Sequence, residues 1–392
     1  MNFELTMEQK DIQKAAREFA KKEIEPIAEQ MDRDEAFPLD IWKKMGDLGF
    51  MGISIPEEYG GSGYELLTGV LVAEQIFRVS PALGTSYGTQ ANLVAHNLNR
   101  NGTEDQKKKY LPGICSADLT GSLALTEPNA GSDAVGIQTI AVKNGNHYLI
   151  NGNKIFITNA PIADIFLTYT KTDPDKKSKG ITAFIVERNF PGIDADHKLE
   201  KMGVRGSPTG EIFYDNCRVP EENVLGEVNR GIDVMMSGLD SERAFMAAAG
   251  LGTAEGAFEL ALEYSKKREQ FGKPISSFQL VQAKLADMYT EIEAARGLVY
   301  RAAMVAEEMK RGGKGTEVHK MAAAALLFST EVSVRVCSHA AQIHGGYSYM
   351  MEYPINRFYR DAKIGEIGGG TTEIRRLLIA GEVIKGGTGY LP

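Results

Sequence analysis

Cysteine is scarce in this 392-residue chain: Cys115, Cys217 and Cys337 lie far apart and in no metal-binding spacing. A disulfide framework is thereby excluded, and a reducing, cytoplasmic location is expected. Histidine is sparse as well, with six scattered residues and no His-x-x-x-His pair, which argues against a zinc catalyst. A basic surplus is missing. With 44 Lys and Arg against 52 Asp and Glu, the net charge is −8, so nucleic-acid binding is not expected. The longest apolar run, Met321 to Phe328, falls far short of the roughly 20 residues that span a bilayer, so no transmembrane segment is expected. Met1-Asn2-Phe3-Glu4 has neither a charged start with an apolar run nor transit-peptide character, so no targeting segment is expected. What remains is an ordinary globular composition, 43% hydrophobic and 24% charged. At roughly 100–200 residues per domain, the length predicts two or three domains.

The pattern along the chain changes twice, giving an α+β, mostly helical reading. Residues 1–120 read as a helical domain. Thr6-x-x-Gln9 is a capping box, Ile12, Ala16, Phe19 and Ile24 follow at helical spacing, and Leu66 to Phe77 and Leu93 to Leu98 are further helical runs. Residues 121–228 read as an antiparallel β domain. Asn144-Gly145 and Asn151-Gly152 each sit between strand-like residues, the signature of a two-residue hairpin turn. Phe166 to Thr170, Ile181 to Val186 and Glu211 to Tyr214 are further strands. Residues 229–392 return to helical periodicity. A second capping box, Ser276-x-x-Gln279, heads a run to about Lys310, and Val318 to Ile343 ends at Gly345-Gly346. A last helix starts near Thr371 or Thr372.

Three features carry possible chemistry. Thr126-Glu127-Pro128-Asn129-Ala130-Gly131-Ser132-Asp133 offers small residues and hydroxyls that suit a phosphate or polar ligand, although taken alone it reads more simply as a tight surface turn. Gly368-Gly369-Gly370 precedes Thr371-Thr372-Glu373 and suits an anion at a helix start, but lacks the strand that a dinucleotide fingerprint requires. Glu242 is the third. Met235, Leu239, Glu242 and Met246 share one helix face, so this carboxylate interrupts an apolar stripe. Lost solvation there raises its pKa toward the range of a general base, and a core-edge ion pair is the competing reading. Lys266-Lys267-Arg268 reads as a solvated helix end, and His344 as a packed histidine.

Together the motifs resemble the acyl-CoA dehydrogenase family. Leu125-Thr126-Glu127-Pro128-Asn129-Ala130-Gly131-Ser132-Asp133 is followed in order by Asn151-Gly152-Asn153-Lys154-Ile155-Phe156-Ile157-Thr158-Asn159, Val219-Pro220-Glu221-Glu222-Asn223-Val224-Leu225-Gly226, Arg268-Glu269-Gln270-Phe271-Gly272-Lys273-Pro274-Ile275 and Tyr359-Arg360-Asp361-Ala362-Lys363-Ile364. Thr85-Ser86-Tyr87-Gly88, the Leu239-Asp240-x-Glu242-Arg243 segment and Glu366-Ile367-Gly368-x-Gly370-Thr371 resemble its isovaleryl-CoA dehydrogenase branch. The resemblance implies a C-terminal four-helix bundle, FAD as cofactor, an acyl-CoA substrate, electron-transfer flavoprotein as partner and a homotetramer. It places Leu123, Leu125, Thr126, Gly131 and Ser132 along the flavin or its phosphates, Phe156 against the ring and Thr158 near N5. Arg268, Phe271, Gln279, Gln342 and Gly346 match positions gripping the FAD of a neighbouring subunit, and Thr371 and Glu373 match adenosine-end contacts. Ser132, Ser207, Asp240 and Arg243 match positions that contact or orient CoA.

Most members carry the catalytic Glu directly before the Gly-Thr that is Gly370-Thr371 here, and this chain has Gly369 there. The isovaleryl branch supplies its base from the Leu-Asp-x-Glu-Arg helix, which corresponds to Glu242. The Gly369 N–H is then expected to help bind the thioester oxygen. Gly365, Gly368 and Gly369 replace larger side chains. If they face the acyl pocket, they make room for a branched chain such as isovaleryl, or for a bulkier cyclic or aryl one. Leu83 stands where a glutaryl-type enzyme is expected to carry Arg, which disfavours decarboxylation. An oxidase, or a flavin- and CoA-binding protein without turnover, are the other readings.

Overall fold

The computed structural model describes residues 4–310 and 317–386. Met1-Asn2-Phe3 and residues 387–392, which the domain reading includes, lie outside the described residues. The N-terminal part is built from α1 (Met7–Phe19), α2 (Ala28–Asp34), α3 (Leu39–Asp47), α4 (Leu66–Phe77), α5 (Pro81–Gly88), α6 (Ala95–Asn101) and α7 (Glu104–Cys115). The Thr6–Gln9 capping box forms in both directions, and a second one, Thr103–Gln106, starts α7. A π-helical run, Thr89–Val94, joins α5 to α6 without a break in the chain.

The middle part holds β1 (Gly121–Ala124), β2 (Ile140–Asn144), β3 (His147–Thr158), β4 (Ile165–Lys171), β5 (Ile181–Glu187), β6 (Ile193–Lys198), β7 (Thr209–Pro220) and β8 (Val224–Leu225). The expected antiparallel sheet is in fact mixed. β1 pairs parallel with residues 165–168 of β4, and Ile140 at the start of β2 pairs parallel with Lys171 at its end. β1 and β2 therefore lie end to end beside β4, interrupted by the excursion 125–139. That break lets the excursion leave the sheet between two interior strands, and it carries Thr126, Gly131 and Ser132.

The two Asn-Gly pairs behave differently. Asn144 pairs with His147, so a tight turn forms here on Gly145-Asn146, one residue later than the Asn144-Gly145 expected, with Gly145 at φ 64°. Asn151-Gly152 is no hairpin. It lies inside β3 at a register shift against β7, with Gly152 at φ 141°, and a Cβ there would stand 2.6 Å from the Thr139 hydroxyl. A bulge, which also wants glycine, has taken the place of the turn.

The C-terminal part comprises α8 (Gly231–Lys267), the ribbon β9 (Glu269–Gln270) and β10 (Lys273–Pro274), then α9 (Gln279–Lys310), α10 (Glu317–His344), α11 (Pro354–Ala362) and α12 (Thr372–Gly386). The predicted Ser276–Gln279 box does not form: Ser276 sits in a 3-10 turn and Gln279 is the first residue of α9, not its third. α8, α9 and α10 pack on one another, α12 lies on α10, and α4 leans on α8 and α9. The segment Val318–Tyr349 is long and apolar enough to cross a membrane, yet more than half of its apolar window is buried within this bundle.

One apolar core runs through both helical parts, joining Trp42, Leu71 and Phe77 to Phe245, Leu251, Val299 and Val332. A second core packs Leu167, Tyr169 and Ile185 of the sheet against Val94 and Leu98 beside α6 and against Leu111 and Ile114 of α7. The stretch from Thr89 to Asn101 thus sits where all three parts meet. Cys115, Cys217 and Cys337 are buried and free.

Candidate active site

Glu242 lies in the second quarter of α8 and is only 8% exposed. Its carboxyl bends back over Gly238, one turn earlier, where a Cβ would come within 2.5 Å of Oε1. Asn97 Nδ2 donates to Oε1 at 2.8 Å, and Asn92 Nδ2 donates to the Glu242 main-chain carbonyl at 3.2 Å. Burial pushes the carboxyl up from 4.5 to about 7, because Arg100, the Asn97 hydrogen bond and Arg243 offset only part of the lost hydration. The surrounding Met235, Leu239 and Met246 are half-buried, so the apolar stripe borders the site rather than closing over it.

Asp240 and Arg243 flank this carboxyl. Asp240 Oδ1 lies 2.6 Å from His319 Nδ1 on α10. The Arg243 side chain is nearly buried, with Asp240 no closer than 3.9 Å, and its Nε and Nη1 have no hydrogen-bond partner among the described residues. Such a guanidinium is costly unless an anionic or polar ligand completes it. Its charge also bears on Arg375, whose pKa is lowered to about 10, chiefly by burial.

Arg375 organises the glycine loop. It donates to Thr330 Oγ1 at 3.0 Å, the Gly365 carbonyl at 2.9 Å and the Gly368 carbonyl at 2.6 Å. Gly369 and Gly370 have φ 67° and 90°, and a Cβ on either would meet open space. Thr371 caps α12, its hydroxyl accepting from Ile374 N at 3.4 Å, and Glu373 is exposed in the first turn. Gly365 does not meet the condition of facing a pocket. A Cβ there would meet the Thr330 side chain at 3.0 Å, so this glycine permits packing on α10. A Cβ on Gly368 would abut Ile364, which leaves Gly369 as the one of the three facing free space.

The sheet contributes a second cluster. The Ser122 hydroxyl donates to the Thr158 carbonyl at 2.6 Å, and Ile155 N donates to the Thr126 carbonyl at 3.0 Å, which ties β1 and its following loop to β3. Leu123, Leu125, Thr126 and Thr158 are half-buried along this seam, while Gly131 and Ser132 are exposed. Beneath the loop, Lys154 Nζ meets Glu127 Oε1 at 2.8 Å, and the Gln138 and Thr139 amides donate to the same carboxylate. Burial pulls Lys154 down to about 8, while Glu127 is held below the ordinary carboxylate range by its partners. Phe156 is left-handed, φ 60°, at a second register shift, and its ring is 66% exposed. Strain that turns an aromatic outward beside two hydroxyl-bearing residues suits a flat ring ligand such as flavin.

Of Arg268, Phe271, Gln279, Gln342 and Gly346, the structure brings Arg268 and Gly346 into one groove at the far end of α8. Phe271 is 92% exposed at the tip of the β9–β10 ribbon, and the Arg268 guanidinium lies 5.5 Å from the Tyr347 ring centroid. The groove has a volume of about 470 Å³ and is lined by Tyr264, Arg268, Ile275, His344, Gly346 and Met350. His344 is indeed packed, stacked on Tyr264 with Nδ1 bonded to the Ala340 carbonyl. Arg268 stands 26 residues beyond Glu242, so a rise of 1.5 Å per residue along α8 puts the groove roughly 39 Å away. One chain therefore does not bring this cluster to its own Glu242. Ser207 is fully buried, its hydroxyl 2.7 Å from Ser86 Oγ, so its side chain is not presented to a ligand.

Sequence reasoning missed Asn92, Asn97, Arg100 and Arg375. Leu93 to Leu98 was readable as helical, but the π-helical run upsets the 3.6-residue period that would have aimed Asn97 at α8.

Family models for the acyl-CoA dehydrogenase N-terminal, middle and C-terminal domains match residues 6–118, 122–217 and 229–384. The chain is 46% identical to mitochondrial isovaleryl-CoA dehydrogenase of Solanum tuberosum over 96% of its own length and 90% of the relative's. It superposes on butyryl-CoA dehydrogenase from Megasphaera elsdenii with a TM-score of 0.94 at 41% identity, covering 98% and 100% of the two chains. A glutaryl-coenzyme A dehydrogenase bound to glutaryl-CoA gives 0.94 at 39% identity, covering 98% and 97%.

Proposed function

The chain belongs to the acyl-CoA dehydrogenase family of FAD-dependent oxidoreductases, and from that premise we propose that it desaturates a short branched acyl-CoA of the isovaleryl type, with Glu242 as base. The observation that carries this reading is a buried carboxyl on α8, poised near neutrality, in a chain whose position 369 offers no carboxylate.

Glu242 takes the α proton on Oε2, since Oε1 already accepts from Asn97. A pKa of about 7 leaves much of the carboxyl ionised at neutral pH while keeping it basic enough to attack a weak carbon acid. The Gly369 amide, in a left-handed backbone that glycine adopts without penalty, donates to the thioester oxygen as charge develops there. Bound FAD would supply the acceptor for the hydride from the β carbon. Phe156 and Thr158 hold its ring, Leu123, Leu125, Thr126, Gly131 and Ser132 hold the seam leading to its phosphates, and Thr371 and Glu373 the adenosine end. Asp240, Arg243 and Ser132 hold CoA, and Arg243 brings the two nitrogens that lack partners.

The distance along α8 supports a shared arrangement in which Arg268, Phe271, Gln279, Gln342 and Gly346 serve the FAD of a neighbouring subunit. Exposed Leu280, Tyr349, Leu377 and Ile384 supply apolar contact for a homotetramer. Electron-transfer flavoprotein is the partner that accepts the electrons, and the cytoplasm the compartment that keeps the cysteines reduced.

Anaerobic mixing of purified enzyme with isovaleryl-, butyryl-, glutaryl- and cyclohexanecarboxyl-CoA tests the substrate. Flavin absorbance is expected to bleach fastest with isovaleryl-CoA. A faster cyclic thioester reassigns the acyl chain, and no bleaching with any of them rejects the dehydrogenase role.

A further inference from the structure

The π-helical run Thr89–Val94 lies in the seam between sheet and bundle, and both asparagines that reach Glu242 are in or just after it. A π turn carries one residue more than an α turn, so each such turn rotates the downstream residues by roughly 100° about the helix axis. Through that offset Asn92 meets the main chain of Glu242 and Asn97 meets its carboxyl. Both residues are buried.

The Asn97 amide has little freedom. Its Nδ2 donates to the Leu93 carbonyl at 2.9 Å and to Glu242 Oε1 at 2.8 Å, and its Oδ1 accepts from Asn101 Nδ2 at 3.4 Å. Leu93 and Glu242 offer only acceptors at those points, so the nitrogen must face them. On the opposite side Gly238 leaves the space into which Oε1 folds, and glycine inside a helix costs about 1 kcal/mol relative to alanine. Arg100 Nη1 borders the same space while bonded to the Ser237 carbonyl at 2.7 Å. Among the described residues, Glu242 Oε2 makes no hydrogen bond and stays available to a substrate proton.

We propose that Asn97, presented by the π-helical run and opposed by Gly238, is the positioning residue that holds the Glu242 carboxyl in its reactive orientation, with Oε2 free. The proposal rests on Glu242 being the base. The charged and titratable groups around that carboxyl are Arg100 from α6, Asp240 and Arg243 from α8 and Tyr169 from β4, and all of them remain when Asn97 is changed. A hydrogen bond to the ionised form favours ionisation, so its loss moves the titration of the base upward.

The test uses FAD-loaded holoenzyme and three variants: Asn97→Leu, Asn97→Asp and Glu242→Gln. The pH profile of kcat is recorded with the preferred acyl-CoA, and folding is checked by flavin content and melting temperature. Asn97→Leu is expected to raise the acid limb by about one pH unit and to lower kcat about tenfold at neutral pH, with KM within twofold. Asn97→Asp, isosteric but lacking the donor and adding negative charge, is expected to move the limb further. Should Asn97→Leu misfold, Gly238→Ala displaces the same carboxyl from the other side and is expected to lower kcat by a similar factor. A wild-type profile and kcat in folded Asn97 variants, with Glu242→Gln inactive, overturns the positioning role alone. Turnover by Glu242→Gln overturns the base assignment and this inference with it.

Discussion

A buried carboxyl kept half-ionised at neutral pH is costly, and at Glu242 that cost has two measurable consequences. The first concerns rate. Because only the ionised form accepts a proton, kcat/KM is expected to rise with pH through about 7 and then level, as read from initial rates between pH 5.5 and 8.5. The second concerns stability. From 4.5 to about 7 the folded protein keeps a proton that the unfolded chain has lost, so this residue's contribution to stability falls as pH rises across that window. Glu242→Gln removes the fall. It is expected to melt higher than wild type at pH 8, by an amount on the order of 1–3 kcal/mol, while losing turnover. Gly365 makes an opposite case. Gly365→Ala is expected to destabilise by about 1 kcal/mol or more through the Thr330 contact, without changing which acyl chain reacts fastest. A changed substrate order would return this glycine to the pocket.

Elements with their own periodicity were legible in the sequence: α4 runs over the predicted Leu66 to Phe77, and the Thr6 capping box forms. Features created by partners were not. Asn151-Gly152 carries the same local signal as Asn144-Gly145, and only the pairing of β3 with β7 makes the first a bulge and the second a turn. β1 is too short to announce itself, and its parallel pairing depends on β4, which comes some forty residues later. At the site the same division holds. Glu242 was legible because its own helix displays the stripe, whereas Asn97 acts across a domain seam after a π-helical offset that no α-period reading detects. The Gly369 side of the site was visible only as an absence, through resemblance to relatives that carry Glu there.

At the scale of the whole molecule, the helical parts are tied by buried ions as well as by their shared apolar core. Glu74 on α4 and Glu255 on α8 both pair with Arg296 on α9, and Arg78 and Tyr300 complete the set. Burial and the neighbouring Glu255 raise Glu74 to about 8, so it largely keeps its proton at neutral pH, while Arg296 and Arg78 both pair with Glu255. Arg296→Ala is expected to lower stability by roughly 3 kcal/mol in denaturant titrations, because the acids stay buried when their partner goes. An unchanged midpoint would mean that solvent replaces the guanidinium. This scaffold brings α6 against α8 at one buried carboxyl, Glu242. The most direct test of that arrangement is anaerobic bleaching of the bound flavin by isovaleryl-CoA in Glu242→Gln beside wild type. Bleaching in the wild type and its slowing by at least about 100-fold in the variant is the result expected if Glu242 removes the α proton; bleaching at the wild-type rate in a folded, FAD-loaded variant would contradict it.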